Sequence, residues 1–170
     1  MTNIPILFLE LSGPLQSWGI LDKWTVRTTR PFPTKSGVIG LIGCAMGIKR
    51  NDNKLFELNK KINMAARIEK KGEIMSDYHT ITGRIRTAEG NFKKTKEDTT
   101  ILSDRYYLQD AEFTVALTAE KDLLEECLTA LKYPKWQIFL GRKCCVPSRP
   151  VFKEISYDYS SLEEAITKYP

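Results

Sequence analysis

Apolar positions follow two different spacings along the chain, and the changes of spacing mark its elements. Ile4 to Leu11 is a short run rich in Ile, Leu and Phe that stops at Gly13, Pro14 and Gly19. A run of that length closed by turn residues predicts a strand and then a loop. Pro33 and Thr34 lead into Lys35–Ile48, which reads as a helix with Thr34 or Ser36 as its cap and the polar stretch KRNDN as its end. Ile62 to Lys71 predicts a second strand, Gly72 a turn, and EIMSDYHTI a further extended segment. From Thr82 to Leu108 the pattern dissolves into a polar stretch containing Gly83 and Gly90. A structureless loop of that length is unusual inside a small domain, so this arm predicts a projecting hairpin or a segment that orders on binding.

Beyond the arm, Ala111 to Ala119 predicts a strand, and Leu123, Leu124, Cys127, Leu128 and Leu131 fall on one face of a helix that Pro134 ends. The stretch KWQIFLGRKCCVPSRPVF is assigned the last core strand, and SLEEAITKYP a short terminal helix capped by Ser160 or Ser161. The order is β-α-β-arm-β-α-β, the split βαβ pattern of an α+β, ferredoxin-like, RNA-recognition-type fold. A single domain over residues 1–170, with a short appendage from about residue 153, is the expected organisation.

A net charge of +5 and a pI near 9.0 point to an acidic partner, with nucleic acid the commonest candidate. No apolar run approaches the length of a membrane span, and the first residues lack the basic flank of a signal peptide, so the expectation is a cytoplasmic protein. Cys44, Cys127, Cys144 and Cys145 contain no C-x-x-C pair and read as reduced, mostly buried thiols rather than a metal site. No nucleotide-binding, zinc-hydrolase or paired-carboxylate signature is present, and no cofactor is expected.

The helix Lys35–Ile48 carries Gly37, Gly40, Gly43 and Gly47. Each interior glycine costs about 0.5 to 1 kcal/mol relative to alanine, so something must offset four of them. At 100° per residue they cover roughly a third of the circumference, one face without side chains. Periodicity leaves two readings open: close packing of the helix, or close approach by a phosphodiester chain. Arg27, Arg30 and Lys35 precede the helix N-terminus, where free N–H groups already favour an anion. Arg142, Lys143 and Arg149 follow Gly141 near the last strand, so the first and last strands are expected to offer one basic sheet face.

Trp18 and Trp24 read as core caps before base-stacking platforms, and His79, the sole histidine, as a structural hydrogen-bonding residue before a general acid or base. Lys93, Lys94 and Lys96 read as a solubilising tip of the arm.

The strings LSGPLQSWG, RPFPTKSGVIGLIGCAMGI, DYHT, YYLQDAEFTVAL and YPKWQIFLGRKCCVPSRPVF, in that order, resemble the CasD family of type I-E CRISPR Cascade subunits. The resemblance implies a non-catalytic subunit that holds the 5′ handle of the guide RNA (crRNA) and supports guided DNA recognition. It also implies a β-hairpin thumb at about residues 81–107 that contacts a CasC-type backbone subunit, with a CasA-type large subunit as a further partner. Carried onto this sequence, the handle residues are Arg27, Arg30, Lys35, Ser36, Gly37, Gly40, Arg142 and Lys143, and the thumb carries Arg84, Arg86, Lys93, Lys94, Lys96 and Arg105. Within the resemblance, Gly37 and Gly40 are the RNA-side glycines and Gly43 and Gly47 serve packing. Typical members continue past the position of Pro170. A related subunit of another CRISPR subtype cuts repeat RNA, so the alternative is a metal-independent endoribonuclease with His79 as general acid or base, aided by Tyr78 and a lysine.

Overall fold

The structure, a computed structural model, describes residues 3–19, 25–82, 90–91 and 100–170. Its elements are β1 (Ile6–Ser12), β2 (Leu15–Gln16), β3 (Val26–Arg27), α1 (Lys35–Met46), α2 (Asn53–Lys61), β4 (Asn63–Lys70), β5 (Glu73–Thr82), β6 (Thr100–Gln109), β7 (Glu112–Thr118), α3 (Lys121–Lys132), β8 (Phe152–Ser156) and α4 (Leu162–Lys168). The main sheet has the order β4-β7-β1-β8 with antiparallel neighbours throughout. Two βαβ units interleaved in this way give the ferredoxin-like α+β fold that the element order predicts.

β1 lies at the centre and is covered on both faces, which explains why its apolar run alternates poorly. Leu7, Leu9 and Leu11 enter the main core with Val38, Ile42, Leu124, Cys127 and Leu131, while Ile6 and Phe8 enter a second cluster under α4. On α1, Thr34 Oγ1 accepts the Gly37 N–H at 3.2 Å, and Gly47, at φ 74°, closes the helix by donating to Cys44 while Ile48 donates to Gly43. On α4, Ser161 Oγ accepts the Glu164 N–H at 3.1 Å and the Glu164 carboxylate reaches back to the Ser160 N–H at 2.9 Å.

The Leu-Ser-Gly-Pro-Leu-Gln-Ser-Trp segment folds as a buried knot. Gln16 Nε2 donates to the Leu11 and Ala111 carbonyls at 3.1 and 2.8 Å, and Gln16 Oε1 accepts the Trp18 indole N–H at 3.0 Å. A fully buried amide survives only when its groups are paired in this way. Trp18 is thereby a core residue, as expected, whereas Trp24 lies outside the described residues.

Three features differ from the sequence reading. The last core strand is β8, not the stretch 135–152, and it occupies the start of the segment read as an appendage. The stretch before it is an irregular loop whose apolar Ile138, Leu140, Cys145 and Val151 anchor in the core. Its backbone bonds go elsewhere than a ladder: Lys135 N to Ala45 O, Ser17 N to Leu140 O, and Ser148 N to Ser12 O, at 2.8 to 3.0 Å.

The second difference is α2, a nine-residue helix that begins at the last residue of KRNDN, capped by the Asp52 carboxylate on the Lys54 N–H at 3.0 Å. Only Leu58 of α2 is buried, too few apolar positions to register as a period. The third is the arm. β5 and β6 pair antiparallel from Glu73 opposite Gln109 to Thr82 opposite Thr100, so the hairpin begins nearer the core than Thr82. β6 also pairs with β2 and, in parallel, with β3, which ties the hairpin base to the body. Of the cations assigned to the thumb, Arg84, Arg86, Lys93, Lys94 and Lys96 lie outside the described residues, while Arg105 lies on β6 and donates from Nε to Ser103 Oγ at 3.2 Å.

Candidate nucleic-acid interface

The four glycines of α1 face different neighbours. A Cβ on Gly37 would lie 2.8 Å from the Trp18 indole, one on Gly43 would overlap Leu55 of α2, and one on Gly47 would overlap the Lys135 side chain. A Cβ on Gly40 would meet nothing within 4 Å. The glycine face is therefore not one bare surface: three positions accommodate packing, and only Gly40 stands open. Gly37 is corrected in this respect, because its missing side chain is required by Trp18 and its N–H is taken by Thr34.

Gly40 opens onto a groove of about 630 Å³ between α1 and the 135–149 loop. Ser36, Gly37, Gly40 and Cys44 line one wall, and Trp136, Phe139, Gly141 and Lys143 the other, with Arg50 at the end. The sequence reading thus brings Ser36, Gly37, Gly40 and Lys143 together, and it missed Trp136, Phe139 and Arg50. The Trp and Phe were legible in the string YPKWQIFLGRK, but as strand residues they counted as core. Trp136 is instead 42% exposed. The loop is held at this spacing by the Lys135 N–H on Ala45 and by the Cys44 thiol, which donates to the Gln137 carbonyl at 3.3 Å. Burial raises the Cys44 thiol above its ordinary pKa, which keeps it protonated as that donor. Gly141, at φ 102°, has no room for a side chain against the Ser17 carbonyl.

The remaining cations divide by what their charge already meets. The Arg142 guanidinium donates to Tyr106 O at 3.0 Å and to Arg27 O at 2.9 Å, and lies 4.7 Å from the Tyr107 ring centroid. It binds the loop to β3 and β6, and Arg142 is not among the residues that line the groove. Burial, with the Cys144 thiol beside it, raises the Tyr107 hydroxyl above its usual pKa and leaves it neutral under that guanidinium. Arg149 sits 2.7 Å from Glu10, which also pairs with Lys153. Arg27 is half-buried on β3 beside Arg105 of β6, and Arg30 is exposed, its N–H bonded to the Trp18 carbonyl at 2.9 Å. Lys35 occupies the first turn of α1 next to Ser36.

The sheet itself is closed. In RNA-recognition domains bases stack on the open sheet face. Here that face carries α4: the Tyr169 ring stacks on Phe8 at 3.7 Å, Tyr159 meets Phe8 edge-on at 5.8 Å, and Arg67 Nη1 donates to Ile166 O and Tyr169 O at 2.8 and 2.7 Å. The cleft left at its edge is lined by Glu10, Glu69 and Glu112 with Lys153, whose ammonium pairs with Glu10. The expectation that the first and last strands share one basic sheet face is corrected accordingly, since α4 covers that face and Arg149 pairs with Glu10.

His79 and Tyr78 are neighbours on β5, so their side chains project from opposite faces of the strand. His79 Nδ1 lies 3.7 Å from the Asp77 carboxylate, and Tyr78 is 62% exposed on the other side. They cannot act together on one phosphodiester. No cluster of three or more His, Cys, Asp or Glu side chains could hold a metal among the described residues. No helix among them is long and apolar enough to cross a membrane.

Mixed helices and antiparallel sheets in this order place the chain in the α+β, ferredoxin-like class. The chain belongs to the CRISPR-associated protein (Cas_Cas5) family, whose model matches residues 6–170. It is similar to the CRISPR system Cascade subunit CasD of Escherichia coli (strain K12), with 34% identity over 158 residues, covering 86% of this chain and 69% of that protein. A chain of a solved CRISPR RNA-guided surveillance complex superposes with a TM-score of 0.74 at 34% identity, covering 86% of this chain. A crystal structure of a Cas protein gives 0.66 at 33% identity, covering 92% of this chain. The chain spans 61% and 66% of the lengths of those two solved chains.

Proposed function

We propose that this protein is a non-catalytic subunit of a cytoplasmic Cascade-type surveillance complex and holds the 5′ handle of the crRNA in the groove between α1 and the 135–149 loop. The observation that carries the reading is that groove: an open backbone at Gly40 facing Trp136, Phe139 and Lys143. Single-stranded RNA needs those elements together, a cation for phosphate and an aromatic ring for an unstacked base. Similarity to CasD supports the assembly, and Ser36, Lys35 and Arg30 lie on the approach to the same helix end. The β5–β6 hairpin is the thumb in this reading, reaching a CasC-type backbone subunit, with a CasA-type subunit beside it and target DNA met only through the complex.

Fluorescence anisotropy with a labelled synthetic handle RNA tests the groove. Lys143→Ala is expected to weaken binding about three- to tenfold and to reduce the slope of log K against log salt by about 0.7, the value for one lost phosphate contact on a single strand. The RNA is expected back uncut in EDTA. An unchanged slope with unchanged affinity removes Lys143 from the interface, and cleavage that His79→Ala abolishes would replace this reading by the endoribonuclease.

A further inference from the structure

A second groove, of about 400 Å³, lies on the far side of Gly40 between α1 and α2. Ser36, Gly40, Arg50 and Leu55 line both grooves, so the two meet at Gly40, the glycine of α1 at which a Cβ would meet nothing within 4 Å. We infer that this second groove is a nucleotide subsite taking one unstacked base of the same single-stranded RNA, which crosses α1 over Gly40. The inference rests on the RNA reading above and extends it to a surface that neither the sequence motifs nor the comparisons assign.

Its lining has the chemistry for the task. Asn53, Phe56 and Asn59 stand three residues apart on α2 and form a single row. Phe56 is 60% exposed, and the Lys60 ammonium lies 4.2 Å from its ring centroid. The amides of Asn51, Asn53 and Asn59 make no side-chain hydrogen bond with another described residue. Each amide offers both donors and an acceptor, which is what the edge of a base presents in complement. The exposed Phe56 ring supplies a stacking surface on the side away from the Lys60 ammonium, which lies over the ring and pairs with Glu57 at 3.4 Å, and Arg50 supplies positive charge in the groove. Asp52 also lies in this groove, but its carboxylate is turned to the Lys54 N–H as the helix cap. Packing does not account for the row, since Leu58 alone of α2 is buried and Leu55 meets α1 at Gly43. A protein segment could also use an exposed Phe and amides. Continuity with the Trp136 groove across an unobstructed backbone favours RNA.

The test uses the full chain with a synthetic single-stranded RNA of about 12 nucleotides carrying the handle, within the range one domain covers, and a set of the same RNA with one abasic nucleotide at each position in turn. The wild-type protein is expected to lose about tenfold in affinity at each abasic position that normally fills a groove. The Phe56→Ala/Asn59→Ala double variant is expected to bind the intact RNA about tenfold more weakly and to show no further loss at one of those positions, keeping the others. Asn59→Asp alone, which keeps Phe56 and the helix, is expected to weaken the same position. A double variant that binds intact RNA like wild type, with every abasic loss retained, overturns the subsite and leaves the α1 groove standing. Wild-type protein that binds none of these RNAs overturns both.

Discussion

Gly40→Leu is expected to abolish most of the affinity for handle RNA while leaving the fold intact or slightly more stable. A Cβ at this position meets nothing within 4 Å, and the residue is exposed in the middle of α1. Removing a mid-helix glycine there should add about 0.5 to 1 kcal/mol, raising Tm by a few degrees. The leucine side chain, however, would project into the space shared by the two grooves and block close approach of the chain. A loss of at least about thirtyfold in RNA affinity, roughly 2 kcal/mol, is expected. The controls lie on the same helix: Gly37→Leu drives a side chain into Trp18 and Gly43→Leu into Leu55. Overpacking of that kind costs about 1 to 3 kcal/mol, so both controls should lose Tm first. A Gly40→Leu protein with normal Tm and normal RNA affinity would show that the open backbone has no role in binding.

Arg142→Ala should act through stability. The guanidinium donates most closely to one backbone carbonyl of each of two elements, Tyr106 O at 3.0 Å and Arg27 O at 2.9 Å, makes a longer bond to Thr28 O at 3.4 Å, and covers the Tyr107 ring. Hydrogen bonds from a charged donor contribute about 1.5 to 3 kcal/mol each, less for a half-buried group, so a total loss of about 2 to 4 kcal/mol is expected. For a chain of this size that lowers Tm by about 4 to 16 °C. The same change frees the loop that carries Trp136 and Lys143, so RNA affinity should fall with it. Arg142→Lys separates positioning from charge. A lysine keeps the cation but lacks the planar fork that reaches both carbonyls, so it should restore neither Tm nor binding. Full recovery of binding in Arg142→Lys, with Tm unmoved in Arg142→Ala, would mean that the residue contacts phosphate.

The contrast between Arg142 and Lys143 shows where the sequence is informative and where it stops. Both were legible as cations after the last apolar stretch. Which one turns inward depends on β3 and β6, elements distant in sequence that period and composition do not bring together. The glycines follow the same logic. Spacing identified a face without side chains, yet Gly37, Gly40 and Gly43 were sorted only by Trp18, open solvent and α2 respectively.

The strands β1, β4 and β7 were legible as short apolar runs closed by turn residues, α3 by apolar residues on one helical face, and α1 and α4 by the caps that open them. The 135–151 stretch misled for the opposite reason. Its Leu140, Cys145 and Val151 are buried like strand residues and Ile138 packs partly buried beside them, but its backbone bonds run to Ala45, Ser17 and Ser12. α2 escaped notice because it buries a single leucine, and with it the groove beside it escaped too. A basic sheet face was read from Arg142, Lys143 and Arg149 with Arg27, Arg30 and Lys35, but in the folded chain Arg142 donates to the Tyr106 and Arg27 carbonyls, Lys143 lines the groove beside α1, and Arg149 pairs with Glu10.

The most direct measurement is zero-length ultraviolet crosslinking of the full chain to the crRNA handle, with the modified peptides located by mass spectrometry. Aromatic rings stacked on bases crosslink most readily, so the account predicts adducts on Trp136 or Phe139 and on α1 near Gly40. Adducts confined to Tyr159, Tyr169 and the strands beneath α4 would place the RNA on the sheet and contradict it.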